Sequence, residues 1–168
     1  MDKIAESIVL QYSDLGRAIR PDDIDDLVSD LASRLGCDQT KLDYSSDSLR
    51  FVGEELVNYY KKNPRGQIEE KDLVKLIREI AAYTGESFVK MFEGKWVLEA
   101  LNLWASSVTI DKPITTFKVD KIRRSKKRGY PAVRNAAYFW DMVEKDGIEN
   151  FFFDEYENMK KNVWVERL

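Results

Sequence analysis

The segment from Leu73 to Trp96 constrains the fold of this chain most strongly. Its apolar residues, together with one threonine, repeat with the helical period of about 3.6 residues over about five turns. They are Leu73, Leu76, Ile77, Ile80, Ala81, Thr84, Phe88 and Met91. The pattern predicts a long helix that packs one face on the core, with Gly94 stopping the helix and Trp96 anchoring the first strand. Gly85 lies inside this helix, where glycine is about 1 kcal/mol less favourable than alanine, so we expect another element to approach it closely.

Helical patterns also precede this segment. Pro21 is followed by four aspartates within the next five positions, and Gly36 comes after the last apolar residue of the stripe, so a helix is expected between them. A second helix is predicted from Asp47 to Lys62, because its apolar residues share one face after two serines. Residues 1 to 18 fit a short helix and an extended lead-in equally well.

The composition of the chain changes after Gly94. β-branched and aromatic residues at Trp96–Leu98 and Val108–Ile110 predict a hairpin, and Pro113 is expected to open a further strand through Val119. Two helices are then predicted, the first after Pro131 and the second from Ile148 to Lys160. For the tail Val163-Trp164-Val165, a short strand and a docking segment both remain open.

Together these patterns predict a single globular domain over residues 1–168. The fold class is α+β: three N-terminal helices lead into a small antiparallel sheet of about three or four strands, which two C-terminal helices close.

Cysteine and histidine content limits the chemistry available to the chain. Cys37 is the single cysteine and there is no histidine, so neither an internal disulfide nor a Cys/His zinc site can form. Cys37 has no neighbouring positive charge in the sequence that would activate its thiol. Glu86 is a candidate acid or base, but no partner group for it is identifiable. No catalytic, cofactor-binding or metal-binding residue is therefore predicted.

The expected compartment is the cytoplasm. The sequence shows neither a signal peptide nor a membrane span, and a single cysteine is typical of a reducing environment. The net charge of −3 does not by itself demand a nucleic acid or a membrane as partner.

Residues 118 to 128 form a basic segment with seven cations in eleven positions. They are Lys118, Lys121, Arg123, Arg124, Lys126, Lys127 and Arg128. Such clusters bind phosphate backbones, although this run has no aromatic residue to stack on bases before Tyr130. A solvated loop, a nucleic-acid site through Arg123, Arg124, Lys126, Lys127 and Arg128, and a site for an acidic protein all remain open.

Three consecutive aromatic residues, Phe151 to Phe153, occur in the last predicted helix. Consecutive helical positions point in different directions, so these rings cannot all face one core. We expect at least one to be exposed or covered by a protein partner. Phe151, Phe153, Asp154 and Glu155 are the predicted partner-binding residues.

One short motif resembles a known group of proteins. Ala82-Tyr83-Thr84-Gly85-Glu86, followed by Gly94-Lys95-Trp96, is similar to small uncharacterised bacterial α+β domains. In those domains a Tyr-Leu-Gly-Glu helix leads through Gly-Gly-x-Trp into the first strand. Asp43-Tyr44-Ser45 and Ser48-Leu49 extend the similarity, whereas Thr84 and Glu93 depart from it. Some such domains look like immunity proteins of toxin systems, so the resemblance implies a binding role and supplies no catalytic residue.

The function predicted from the sequence is that of a non-enzymatic protein-interaction domain, immunity-like or accessory. Nucleic-acid binding through residues 118 to 128 is one alternative. An enzyme is another, and it would require a polar cleft that contains a carboxylate or lysine with a strongly shifted pKa.

Overall fold

The computed structural model describes residues 3–12, 17–100, 102–113 and 125–167, and in them it has six α-helices and a three-stranded antiparallel sheet. The helices are α1 (Ile4–Tyr12), α2 (Ile24–Leu35), α3 (Ser46–Lys62), α4 (Glu70–Phe92), α5 (Ala132–Asp141) and α6 (Phe151–Arg167). The strands are β1 (Lys95–Trp96), β2 (Val108–Pro113) and β3 (Ser125–Tyr130). The predicted α+β class is confirmed.

Helix α4 is the central packing element. It contacts α1, α2, α5, α6, β1 and β2, so its C-terminal half is surrounded by other parts of the chain. Every residue from Ile80 to Gly85 is buried, which is more than the single apolar stripe predicted from the sequence. Small side chains on faces away from the stripe, such as Ala82, allow neighbouring elements to approach from more than one side.

Capping and turn-forming residues mark the ends of the N-terminal helices. A 3-10 turn at Pro21–Asp23 precedes α2, and Gly36 ends α2 with a φ of 67°. The side chain of Ser45 accepts a hydrogen bond from the backbone N–H of Ser48 and caps α3. These helices lie where the sequence predicts them, within one or two residues.

The end of α4 differs from the prediction. Glu93, with a φ of 53°, takes the left-handed position that Gly94 was expected to occupy. A Cβ on Gly94 would lie 2.8 Å from Cγ1 of Val108. Gly94 therefore allows β2 to approach α4 closely.

The sheet has the order β1-β2-β3. The predicted hairpin is confirmed, because Trp96 pairs with Val108 in antiparallel register. The prediction that Pro113 opens a strand is wrong: Pro113 ends β2, where it pairs with Ser125. The remainder of that predicted strand, residues 114 to 119, lies outside the described residues.

Strand β3 was not predicted, because its sequence Ser-Lys-Lys-Arg-Gly-Tyr has no apolar alternation. Its strand conformation comes from backbone pairing with β2 along the whole length of both strands. The interpretation of residues 125–128 as loop is therefore wrong.

The structure decides between the alternatives that the sequence left open for the first and the last residues of the chain. Residues 4–12 form helix α1, so four helices rather than three precede the sheet. The tail Val163-Trp164-Val165 continues α6 and is neither a strand nor a separate segment. Helix α6 follows a 3-10 turn at Ile148–Asn150, and the buried apolar side chains from α1 to α6 form one continuous core.

Candidate functional site: a groove between α5 and α6

A groove of about 490 Å³ lies between α5 and α6, close to the point where β3 leads into α5. It is lined by Glu6, Trp104, Pro131, Arg134, Asn135, Tyr138, Phe151 and Glu155. Arg134 and Tyr138 are four residues apart on α5, as are Phe151 and Glu155 on α6, so each helix presents its pair on one face.

Aromatic rings form the outer part of the groove. The rings of Tyr138 and Phe151 lie 5.2 Å apart, and Tyr138 is 41% exposed. The guanidinium group of Arg134 lies 5.5 Å from the ring centre of Trp104. Partly exposed aromatic and arginine side chains of this kind are enriched in protein interfaces.

A second cavity, of about 310 Å³, adjoins the groove and is called the inner pocket here. It shares Pro131, Asn135 and Glu155 with the groove and is also lined by Phe88, Gly129, Tyr130, Asn158 and Met159. Strand β3, helix α5 and helix α6 each contribute to its walls.

Glu155 is the carboxylate that links the groove and the inner pocket. Nδ2 of Asn135 donates a hydrogen bond to Oε2 of Glu155 at 2.8 Å, and no cation of the described residues forms an ion pair with Glu155. Burial raises the pKa of Glu155 to about 7, and the hydrogen bond from Asn135 opposes only part of that rise. Glu155 therefore changes its charge near neutral pH.

Tyr130 lines the inner pocket and is almost completely buried. The residue is 3% exposed, and its ring stacks on that of Phe88 with the centres 3.9 Å apart. Its hydroxyl group makes no hydrogen bond with any described residue, although Thr84 and Asn135 are close enough to lower the pKa of Tyr130. Burial and the neighbouring Glu155 nevertheless raise this pKa well above its ordinary value. A buried hydroxyl without a partner is uncommon in folded proteins.

Of the four residues that were predicted to bind a partner, two line the groove and two lie outside it. Phe151 and Glu155 line the groove. Phe153 lies elsewhere, with the guanidinium group of Arg50 4.0 Å from its ring centre, and Asp154 is exposed outside the groove lining. Glu155 is partly buried and accepts a hydrogen bond from Asn135.

Gly85 and Trp96 are in direct contact. A Cβ on Gly85 would lie 2.6 Å from Cζ2 of Trp96, so the buried indole ring fills the space that a side chain would need. Nε1 of Trp96 donates a hydrogen bond to Oε2 of Glu86 at 2.9 Å. Glu86 therefore binds Trp96, and the ammonium group of Lys90 lies 4.8 Å from the ring centre of Tyr44.

The predicted nucleic-acid residues are only partly described. Arg123 and Arg124 lie outside the described residues. Lys126, Lys127 and Arg128 belong to β3, and their backbones pair with those of Lys112, Asp111 and Ile110 of β2.

Sequence reasoning did not identify Tyr130, Asn135, Tyr138 and Trp104 as members of the site. Pro131 and the i, i+4 spacing of Arg134 and Tyr138 were visible signals, but they indicated only a helix. The missing information was which face of α5 meets α6.

A second polar cluster has a structural role. Arg34 donates hydrogen bonds to both carboxylate oxygens of the buried Glu79, at 2.7 and 2.9 Å, and also to Asp72. Burial raises the pKa of Glu79, and the hydrogen bonds from Arg34 oppose that rise. The cluster joins α2 to α4.

Cys37 and the acidic side chains are the remaining chemical candidates. Cys37 is half-buried, and burial raises the pKa of its thiol, which disfavours the reactive thiolate. Within the described ranges, no group of three or more acidic or cysteine side chains could hold a metal ion. None of the helices described is long and apolar enough to cross a membrane.

The described residues define an α+β domain with an aromatic, partly acidic groove between α5 and α6. No protein family, curated protein or solved structure matches this chain. The resemblance to immunity-like bacterial domains therefore stays a hypothesis that rests on the motif around Gly85.

Proposed function

We propose that this chain is a non-enzymatic protein-interaction domain, immunity-like or accessory, which binds its partner in the groove between α5 and α6. The observation that carries the proposal is the pairing of Tyr138 with Phe151 at the opening of a cavity that also holds Glu155. Binding hot spots are enriched in Trp, Tyr and Arg, and the groove is lined by Trp104, Tyr138 and Arg134.

The groove has features that a partner segment needs. Its outer rings offer apolar area that can be removed from water, and Asn135 and Glu155 supply hydrogen-bonding groups that fix orientation. Helices α5 and α6 both pack on the core, so the groove is held on rigid elements and little ordering accompanies binding.

Photo-crosslinking from the groove tests the proposal. A benzophenone amino acid replaces Tyr138 in the full chain, which is expressed in its native host and irradiated. We expect one defined protein to be crosslinked, and we expect Phe151→Ser in the same chain to reduce its yield at least about tenfold, as for loss of a hot-spot residue.

Phe153 provides the matched control. Phe153 is also an aromatic residue of α6, but its ring packs with Arg50 outside the groove, so Phe153→Ser should leave the crosslink in place. Circular dichroism of each variant checks that the fold is retained. Absence of any crosslinked protein, or equal losses from Phe151→Ser and Phe153→Ser, would contradict the proposal.

One observation favours an enzyme as the second candidate. Glu155, with a pKa of about 7, lies in a polar cleft beside Tyr130 and Asn135, and general acids and bases work best with a pKa near the ambient pH. A panel of ester, amide and glycoside substrates tests it. An activity that changes with a midpoint near pH 7 and disappears in Glu155→Gln would favour this candidate over the binding role.

A further inference from the structure

Strand β3 (Ser125–Tyr130) forms one edge of the sheet. Among the described residues, β2 is the only strand that pairs with it, and the pairing covers all six of its residues. In an antiparallel pair every second residue directs its backbone N–H and C=O toward the neighbouring strand, and the residues between them direct theirs to the other side. The outer side of β3 therefore carries a row of backbone donors and acceptors with no strand partner in the described part of the chain.

This edge is better suited to a further strand than the opposite edge of the sheet. Strand β3 contains no proline, so each of its residues has a backbone N–H. Strand β1 at the other edge has only two residues, and β2 ends in Pro113, which has no N–H to donate. The length of β3 matches that of an ordinary strand, about five or six residues.

Positive charge is concentrated at β3. Lys126, Lys127 and Arg128 are consecutive, and the register places Lys126 directly opposite Lys112 of β2. Like charges opposite each other destabilise a strand pair. Asp111 lies opposite Lys127. Together these five residues carry four positive charges and one negative charge, an excess of three, which a neighbouring acidic strand would balance.

This charge limits what the edge can bind. A second copy of the chain, paired through the same strand, would place cations opposite cations, so self-association is disfavoured. A nucleic acid would neutralise lysine and arginine, but its phosphate oxygens only accept hydrogen bonds and give the edge carbonyl groups no donor. An extended polypeptide with acidic side chains supplies negative charge together with backbone donors and acceptors.

We propose that the outer edge of β3 binds an extended, acidic segment of a protein partner, which adds to the sheet as a fourth strand. Main-chain hydrogen bonds hold such a strand, and its acidic side chains distinguish it from neutral segments. The lining of the groove between α5 and α6 includes Pro131, the residue after β3, and none of residues 125–130. The edge is therefore a second binding surface, and the inference does not depend on what the groove binds.

Three short peptides of the same length test the inference on the full chain. In the acidic peptide three glutamates alternate with valine. In the neutral peptide glutamine replaces each glutamate, and the methylated peptide keeps the glutamates but has methyl groups on its backbone nitrogens. Titrations followed by ¹H-¹⁵N NMR at low ionic strength should show at least about tenfold higher affinity for the acidic peptide than for the neutral one, because several exposed ion pairs each contribute a few-fold. The methylated peptide should also lose at least about tenfold, because it cannot donate main-chain hydrogen bonds.

Amide hydrogen exchange identifies the surface that the acidic peptide occupies. With the peptide bound, exchange should slow at every second residue of β3, because only those amides face the added strand. Exchange in β1 should be unchanged. Slowing at consecutive residues of β3 or at none of them, or equal affinities of the acidic and methylated peptides, would overturn the inference, since a purely electrostatic contact gives those results.

Charge variants with a matched control check the role of the cations. Lys126→Gln combined with Arg128→Gln should weaken binding of the acidic peptide at least about fivefold and leave the neutral peptide unchanged. Lys95→Gln is the control, because it removes an exposed cation from β1 at the opposite edge of the sheet, and it should leave both peptides unchanged. Circular dichroism checks that each variant keeps its fold. Equal losses from the double variant and from Lys95→Gln would contradict the choice of an acidic partner.

Two other occupants are tested on the same samples. In the free chain at high concentration, the outward amides of β3 should exchange rapidly. Slow exchange there, together with a dimer in sedimentation, would overturn the inference in favour of a second copy of the chain. Single-stranded DNA should bind more weakly than the acidic peptide at the same salt concentration, and tighter binding would overturn the inference in favour of a nucleic acid.

Discussion

Replacing Glu155 with glutamine should stabilise the protein at alkaline pH and leave its stability unchanged at acidic pH. The pKa of Glu155 in the folded protein is about 7, whereas an exposed glutamate has a value near 4.5. The folded state therefore holds the proton more tightly than the unfolded state does. The free energy of unfolding consequently falls as the pH rises from about 4.5 to about 7, and the full loss is present above pH 7.

The size of this stability difference follows from the folded and unfolded pKa values of Glu155. A difference between 4.5 and about 7 corresponds to about 3 kcal/mol at about 1.4 kcal/mol per pH unit. Glu155 is not completely enclosed, and solvent relaxation reduces the penalty, so we expect about 2 kcal/mol. Glutamine has a similar shape and retains an oxygen that can accept the hydrogen bond from Asn135.

Urea unfolding of the wild type and of Glu155→Gln at pH 5 and pH 8 measures the effect. The variant should be about 2 kcal/mol more stable than the wild type at pH 8, and the difference should shrink to less than about 1 kcal/mol at pH 5. Asp154→Asn is the matched control, because it removes an exposed carboxylate from the adjacent position. The reasoning is refuted if Glu155→Gln is no more stable at pH 8, or if its advantage is the same at both pH values.

Three further predictions concern packing, the buried ion pair and the basic segment. Gly85→Ala should lower the free energy of unfolding by about 1–2 kcal/mol. The new Cβ would displace the ring of Trp96, and this costs more free energy than alanine gains over glycine in helix propensity. Arg34→Met should lower it by about 3–5 kcal/mol, because it leaves the buried Glu79 without its cation. If residues 118 to 128 bind nucleic acid, the logarithm of the affinity should fall with the logarithm of the salt concentration, by about 0.9 for each phosphate neutralised.

Each of these predictions has its own control. Gly129→Ala introduces the same group where no heavy atom lies within 4 Å, so it should be tolerated, and equal losses at both glycines would show that the contact with Trp96 is unimportant. The double variant Arg34→Met with Glu79→Met should recover most of the stability lost in the single variant, and no recovery would contradict the ion-pair argument. A salt-independent affinity would exclude the nucleic-acid alternative.

The sequence alone determined the elements whose signals are local. Periodicity over Leu73–Met91 specified α4, and Gly36 and Ser45 marked helix ends through backbone conformation and side-chain capping, which depend on a few adjacent residues. The hairpin of β1 and β2 was predictable because runs of β-branched and aromatic residues occur on both sides of Asn102. A close approach at Gly85 was also foreseeable, since glycine inside a helix needs a compensating reason, although Trp96 as the neighbour was not.

The residues of the candidate site come together only in the tertiary structure. Strand β3 carries no apolar pattern and forms through hydrogen bonds to β2, whose paired residues lie 12 to 22 positions earlier in the chain. Tyr130, Asn135 and Glu155 come from a strand and two helices, and no spacing in the sequence relates them. The pKa of Glu155 is set by how much water the packing of α5, α6 and β3 excludes. Glu155 was a predicted contact residue because of its position, but burial, which the sequence does not encode locally, gives it a charge that changes near neutral pH.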